Sequence, residues 1–211
     1  MVDCKCIIFD CDGVLVDSET ISARVFQKMA KELGIDLDFE SAVEQFAGTS
    51  MKENLQFIEE NIEGELPVNF EKEFRERTYE AFKTDLKPVK GIRNFIEKLT
   101  IPFCVASSGP VEKIRLNLSL VHLLDSFENK IYSSYDIDSW KPEPGIFLYA
   151  AKKMGFAPEE CVVIEDSASG IRAALTGGFK VFALANKRKK KRFEQLGAIA
   201  IESIKELEKL T

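Results

Sequence analysis

Apolar residues recur along this chain in two rhythms. Short continuous runs stand at CIIF (6–9), IPFCVAS (101–107), KIYSS (130–134), CVVIED (161–166) and KVFALA (180–185). Their length and their β-branched and aromatic content predict buried strands. Between them, GIRNFIEKL, VEKIRLNLSLVHLL, PGIFLYAAKKMG and SGIRAALTGG carry apolar residues at helical spacing. Strands alternating with helices over short connections predict an α/β fold, a parallel sheet covered on both faces. Each predicted strand ends in polar residues: Asp10, Ser107, Ser133–Ser134 and Glu165–Asp166. Ligands of open α/β sheets bind outside the carboxyl ends of the strands. One edge of the sheet is therefore expected to collect the reactive side chains.

One region breaks the alternation. From about Ser18 to Thr84 only helical patterns occur: SETISARVFQKMAKELG, DFESAVEQFAG, MKENLQFIEENIEG and NFEKEFRERTYEAFK. Ile21, Val25, Met29 and Leu33 form a core-facing stripe, and Gly34 reads as a stop. The expectation is a four-helix insertion over residues 16–84, lying over the sheet edge on linkers near 14–18 and 84–88. Residues 1–15 and 85–211 would form the α/β core. Near the C-terminus, Gly177–Gly178 read as a helix stop and IESIKELEKL as an amphipathic closing helix.

Composition narrows the class. With 211 residues, 45% hydrophobic and 30% charged, the chain suits one large domain with a smaller insertion. A net charge of −6 argues against a general nucleic-acid binder. The one basic run, KRKKKR (187–192), reads as a solvated loop tip or helix start. Five cysteines, each in or beside an apolar run, suggest buried reduced thiols. Cys4-x-Cys6 has no second cysteine or histidine pair to complete a zinc site. No stretch has the length of a membrane helix, and the N-terminus lacks a signal-peptide pattern. A cytoplasmic monomer with no membrane partner is expected.

Asp10 and Asp12 lie two residues apart directly after a buried run, a costly arrangement unless a cation sits near them. Taken singly, each strand-end cluster has a plain explanation as a turn former, a loop or a helix cap. Taken together, Asp10, Glu165 and Asp166 supply oxygen donors suited to a hard cation, above all Mg2+. Ser107, the backbone after it and Lys141 supply donors and a positive charge suited to phosphate. A hard cation, a carboxylate nucleophile and a phosphate cradle point to phosphoryl transfer.

DCDGVLVDSE, VASSG, WKPEP and VIEDSASG resemble, in order, the four motifs of the haloacid dehalogenase superfamily. The likeness spans nearly the whole chain and is strongest to its group of β-phosphoglucomutases and sugar-phosphate phosphatases. It implies a Rossmann-like core with an inserted helical cap. It also implies that Asp10 is the nucleophile, forming an aspartyl-phosphate, and that Asp12 is the general acid/base. Ser107, Ser108 and Lys141 would bind the phosphoryl oxygens. Asp10, the Asp12 carbonyl and Asp166 would hold magnesium, with Glu165 as a further or water-mediated ligand. Asp17 and Glu19 either cap the first inserted helix or line the pocket. Asp12 counts against dehalogenation, because dehalogenases proper lack the second aspartate.

In mutase-like members a cap loop resembling LKGxxR clamps a second phosphate. Here FAGTSM (46–51) keeps Gly48 but has Ala47 and Met51 in the lysine and arginine positions. The stretch SSYDIDSWKPEP is similar to that of bacterial phosphatases of phosphorylated sugars and sugar acids. The resemblance therefore implies hydrolysis of a small phosphorylated metabolite. A phosphosugar mutase and a non-catalytic binding module are the alternatives.

Overall fold

The computed structural model describes residues 4–46 and 51–210. The chain divides into two compact units: one joins the segment up to Val16 to the chain from Pro88 onward, and the other is Asp17–Lys87.

The first unit is built on a six-stranded parallel sheet: β1 (Cys6–Phe9), β2 (Phe103–Ser107), β3 (Ile131–Ser133), β4 (Cys161–Glu165), β5 (Lys180–Leu184) and β6 (Ile199–Ile201). Their order across the sheet is β3-β2-β1-β4-β5-β6. Sequence order reverses between β1 and β4, and such a switch point opens a crevice at the carboxyl ends of its two strands. All four residues of β1 are buried, since helices cover both of its faces. Ile8 belongs to the core cluster with Cys104, Val163, Phe147 and Ile171. Phe9 points to the other face, edge-on to Phe95, Phe103 and Phe127 at centroid distances of 6.2, 6.2 and 6.1 Å. The ring cluster pins the last strand residue before Asp10.

Packing against the sheet are α5 (Ile92–Lys98), α6 (Val111–Leu120), α7 (Gly145–Met154), α8 (Ala168–Thr176) and α9 (Lys187–Leu196). The basic run opens α9, where Asn186 caps the backbone N–H groups of Arg188 and Lys189. The C-terminal stretch departs from the expected amphipathic helix. Ile201 ends the edge strand β6, and Ile204–Leu210 form a 3-10 helix. Ile201 and Ile204 bury on the core while Ile199 stays 38% exposed, so the segment lies along the sheet edge. All five cysteines are free thiols. Hydrogen bonding to Cys104 together with burial pushes the Cys6 thiol up to about 12, which leaves it chemically quiet.

The second unit holds α1 (Glu19–Glu32), α2 (Phe39–Phe46), α3 (Met51–Asn61) and α4 (Phe70–Asp85). Phe26, Met29, Ile58, Phe70 and Phe74 form its core. The buried face of α1 is Ser22, Ala23, Val25, Phe26, Met29 and Ala30, rotated from the expected stripe. Val25 and Met29 are buried, whereas Ile21 and Leu33 are half-buried. Small residues at 22, 23 and 30 let the neighbouring helices approach that side closely. Gly34, in left-handed backbone, follows the end of α1. Among the described residues, no helix is long and apolar enough to cross a membrane.

Candidate active site

The chain after β1 turns sharply on its own backbone. Asp10 N–H extends the β1–β4 pairing by donating to the Ile164 carbonyl at 2.9 Å. Leu15 and Val16 then donate back to the Cys11 carbonyl, and Gly13 donates to that of Val16. Gly13 has φ +78, and a Cβ there would stand 2.0 Å from Asp166 Oδ2. Only glycine lets this turn lie against the acidic residue.

Asp10, at the end of β1, meets Glu165 and Asp166, at the end of β4, across the switch point. All three are buried, and one carboxylate oxygen from each lies within 4.8 Å of the others. The loop before α7 brings Lys141 to the same point. Its Nζ lies 2.6 Å from both Asp10 Oδ1 and Glu165 Oε1, and its side chain is 6% exposed. Burial raises the Asp10 carboxyl to about 7, with Lys141 pulling it down and Glu165 and Asp12 pushing it further up. Burial acts against the Lys141 ammonium, but Asp10 and Glu165 outweigh it and hold that group above its ordinary range.

Glu165 is committed to the fold at both oxygens. Oε1 accepts from Lys141, while Oε2 accepts from the backbone N–H groups of Asp166 and Ser167 at 2.8 Å and from Ser167 Oγ at 2.9 Å. Ser167 also caps α8 by accepting from Gly170 N–H. A Cβ on Gly170 would stand 1.9 Å from Glu165 Oε1.

Three buried carboxylates meet here around one ammonium, an oxygen-rich and acidic cluster. Such an oxygen-only donor set fits a hard divalent cation and not a softer metal that prefers nitrogen or sulfur.

Ser107 ends β2, 2% exposed, and its hydroxyl accepts from Gly109 N–H at 3.2 Å. Ser133, at the end of β3, donates to the Gly109 carbonyl at 2.7 Å and steadies this loop. Ser108 follows, half-buried. The structure thus brings Asp10, Lys141, Glu165 and Asp166 into direct contact or near it. Asp12 stands beside them on the turn, its carboxylate 2.7 Å from Lys113 Nζ on α6. Neither Lys113 nor Asn117, which also donates to Asp12, was expected from the sequence.

Of the residues expected from the helical insertion, Glu19 opens α1 half-buried. Met51 opens α3 and packs against that unit's own apolar cluster. Ala47 and Gly48 lie outside the described residues.

The family model for haloacid dehalogenase-like hydrolases matches residues 4–178. The chain is 34% identical over 183 residues to the 6-phosphogluconate phosphatase of Escherichia coli, a match covering 84% of this chain and 81% of that one. Among solved structures, a haloacid dehalogenase-like protein of Agrobacterium tumefaciens superposes with a TM-score of 0.90 at 32% identity, covering 98% of this chain and 97% of its own. A putative β-phosphoglucomutase from Thermotoga maritima gives 0.80 at 26% identity, covering 98% and 97%.

Proposed function

The chain belongs to the haloacid dehalogenase-like hydrolases, and on that footing we propose that it is a magnesium-dependent phosphatase of a small phosphorylated metabolite, a sugar phosphate or phosphorylated sugar acid. The observation that carries this reading is the Asp10–Lys141–Glu165–Asp166 cluster at the β1/β4 switch point. A buried carboxylate, the Lys141 ammonium and two further acids meet there, and Ser107 ends the strand paired beside β1.

In this reading Asp10 attacks phosphorus and carries the phosphoryl group as an aspartyl-phosphate. Lys141, the Ser107 hydroxyl and the backbone after it hold the phosphoryl oxygens. Ser108 adds a further donor to that loop. Asp12 gives a proton to the leaving oxygen and then takes one from the attacking water. Asp10, Asp166 and the Asp12 carbonyl would hold magnesium, which would supply Lewis-acid polarisation of the phosphate. Glu165, engaged at both oxygens, acts in this reading chiefly by holding Lys141. Substrate choice falls to the helical unit, including Glu19 and the Ala47–Met51 segment.

The E. coli relative's name is what favours phosphorylated sugar acids and sugars over other esters. The test is phosphate release from sugar phosphates, phosphorylated sugar acids and nucleotides with magnesium, comparing the wild type with Asp10→Asn. Release that requires magnesium and disappears in the variant is expected. No release from any substrate, or equal release by the variant, overturns the assignment. Conversion of β-glucose 1-phosphate to glucose 6-phosphate without phosphate release would instead mark a mutase.

A further inference from the structure

Asp12 is held by residues that belong to none of the four motifs. Lys113 Nζ lies 2.7 Å from Asp12 Oδ2, and Asn117 Nδ2 donates to Oδ1 at 3.3 Å. Four residues apart, the two side chains share one face of α6. One donor on each oxygen fixes the plane of the carboxylate.

Two features set this face of α6 apart from ordinary packing. Asn117 is fully buried, and its own Oδ1 has no hydrogen-bond partner among the described residues. A buried acceptor left unmade costs stability, and an apolar side chain at the same position would not incur it. Lys113, for its part, runs beside the phosphate loop. A Cβ on Gly109 would come 3.4 Å from Lys113 Cδ and 3.6 Å from Ser107 Oγ. The lysine stem therefore passes along the open side of Gly109 to reach Asp12.

We propose that Lys113 and Asn117 are positioning residues that aim the Asp12 carboxyl at the leaving oxygen. The inference rests on the acid/base reading of Asp12. In the first step an Asp10 oxygen bonds to phosphorus while the ester P–O bond breaks. The Asp12 proton moves to the departing oxygen, and the alcohol leaves. In the second, water bonds to phosphorus, Asp12 takes a water proton, and Asp10 departs from inorganic phosphate. A sugar alkoxide is a poor leaving group and depends on that proton. A p-nitrophenolate departs without it. Misaiming Asp12 therefore slows the first step of the two substrates unequally, while the second step, common to both, slows alike; kcat/KM, which reports the first step, separates them.

The test compares kcat and KM for the best sugar phosphate and for p-nitrophenyl phosphate in Lys113→Met, Lys113→Arg, Asn117→Leu and Asp12→Asn, with thermal unfolding of each variant. Lys113→Met and Asn117→Leu are expected to lower kcat/KM on the sugar phosphate by about 10- to 100-fold with no rise in KM. The loss of kcat/KM on p-nitrophenyl phosphate is expected to stay below about 3-fold. Lys113→Arg should recover part of the loss, and Asn117→Leu should unfold no earlier than the wild type. Equal losses of kcat/KM on both substrates, a loss confined to KM, or full sugar-phosphate turnover in both variants while Asp12→Asn is inactive would overturn the inference. Full sugar-phosphate turnover by Asp12→Asn would overturn the acid/base reading itself.

Discussion

Replacing Asp10 by asparagine is expected to stabilise the metal-stripped protein while abolishing its turnover. The Asp10 residue is 7% exposed, and burial raises its carboxyl from 3.8 to about 7 against the pull of Lys141. Below about pH 4 the proton is bound in both folded and unfolded states, and the fold carries no penalty. Between pH 3.8 and about 7 the unfolded chain releases the proton while the folded chain keeps it, so stability falls as pH rises. Above about 7 the full cost of ionising Asp10 is present, about 4 kcal/mol for a displacement of that size. Asparagine has nearly the same shape and no charge to desolvate. It keeps an oxygen for Lys141 but loses the charge-assisted part of that bond. The expected gain is therefore about 1 kcal/mol at about pH 4.5 and grows to about 2–4 kcal/mol at about pH 8. Urea unfolding of both proteins in a chelator, across that range, measures it. Adding magnesium at the upper pH should narrow the gap by stabilising the wild type. A gap that stays flat with pH, or a variant less stable than the wild type at pH of about 8, would refute burial as its cause.

Two further substitutions probe how the acidic cluster is supported. Gly170→Ala places a methyl group 1.9 Å from Glu165 Oε1; a destabilisation of about 1–3 kcal/mol and lost phosphate release are expected, read by thermal unfolding and a phosphate assay. Ser167→Ala removes one donor to Glu165 and the cap of α8. A cost of about 1–2 kcal/mol is expected in denaturant unfolding, and an unchanged midpoint would refute the capping role.

The parts of the fold that were legible in the sequence are those set by local rules. CIIF is continuous, apolar and short because β1 is buried on both faces, and Asp10 follows at once because the strand delivers it to the sheet edge. The strand-end polar clusters could be listed without knowing the strand order. Their meeting at one edge followed from the strand-end rule and the family resemblance, but not the contacts themselves, since Asp10 reaches Lys141 over 131 positions and the β1–β4 pairing brings Glu165 in beside them. Strand β6 was missed for a different reason. Three residues at an edge, one of them exposed, carry no periodicity that separates strand from the helical pattern beyond.

Lys113 and Asn117 show where local reading fails most instructively. Lys113, in VEKIRLNLSL, looks like a surface lysine, and nothing nearby names Asp12, 101 positions away, as its partner. Asn117 did carry a signal. It sits between Leu116 and Leu118, three residues after the buried Ile114, in the phase that faces the core. A polar side chain at a buried helical position is disfavoured unless a partner rewards it. Here Asp12 supplies one bond while the amide oxygen goes unbonded among the described residues, so packing alone would favour leucine. A buried polar residue with an unmade bond thus faces the proposed acid/base, and such a misfit in a helix's buried phase is the kind of signal a sequence can carry.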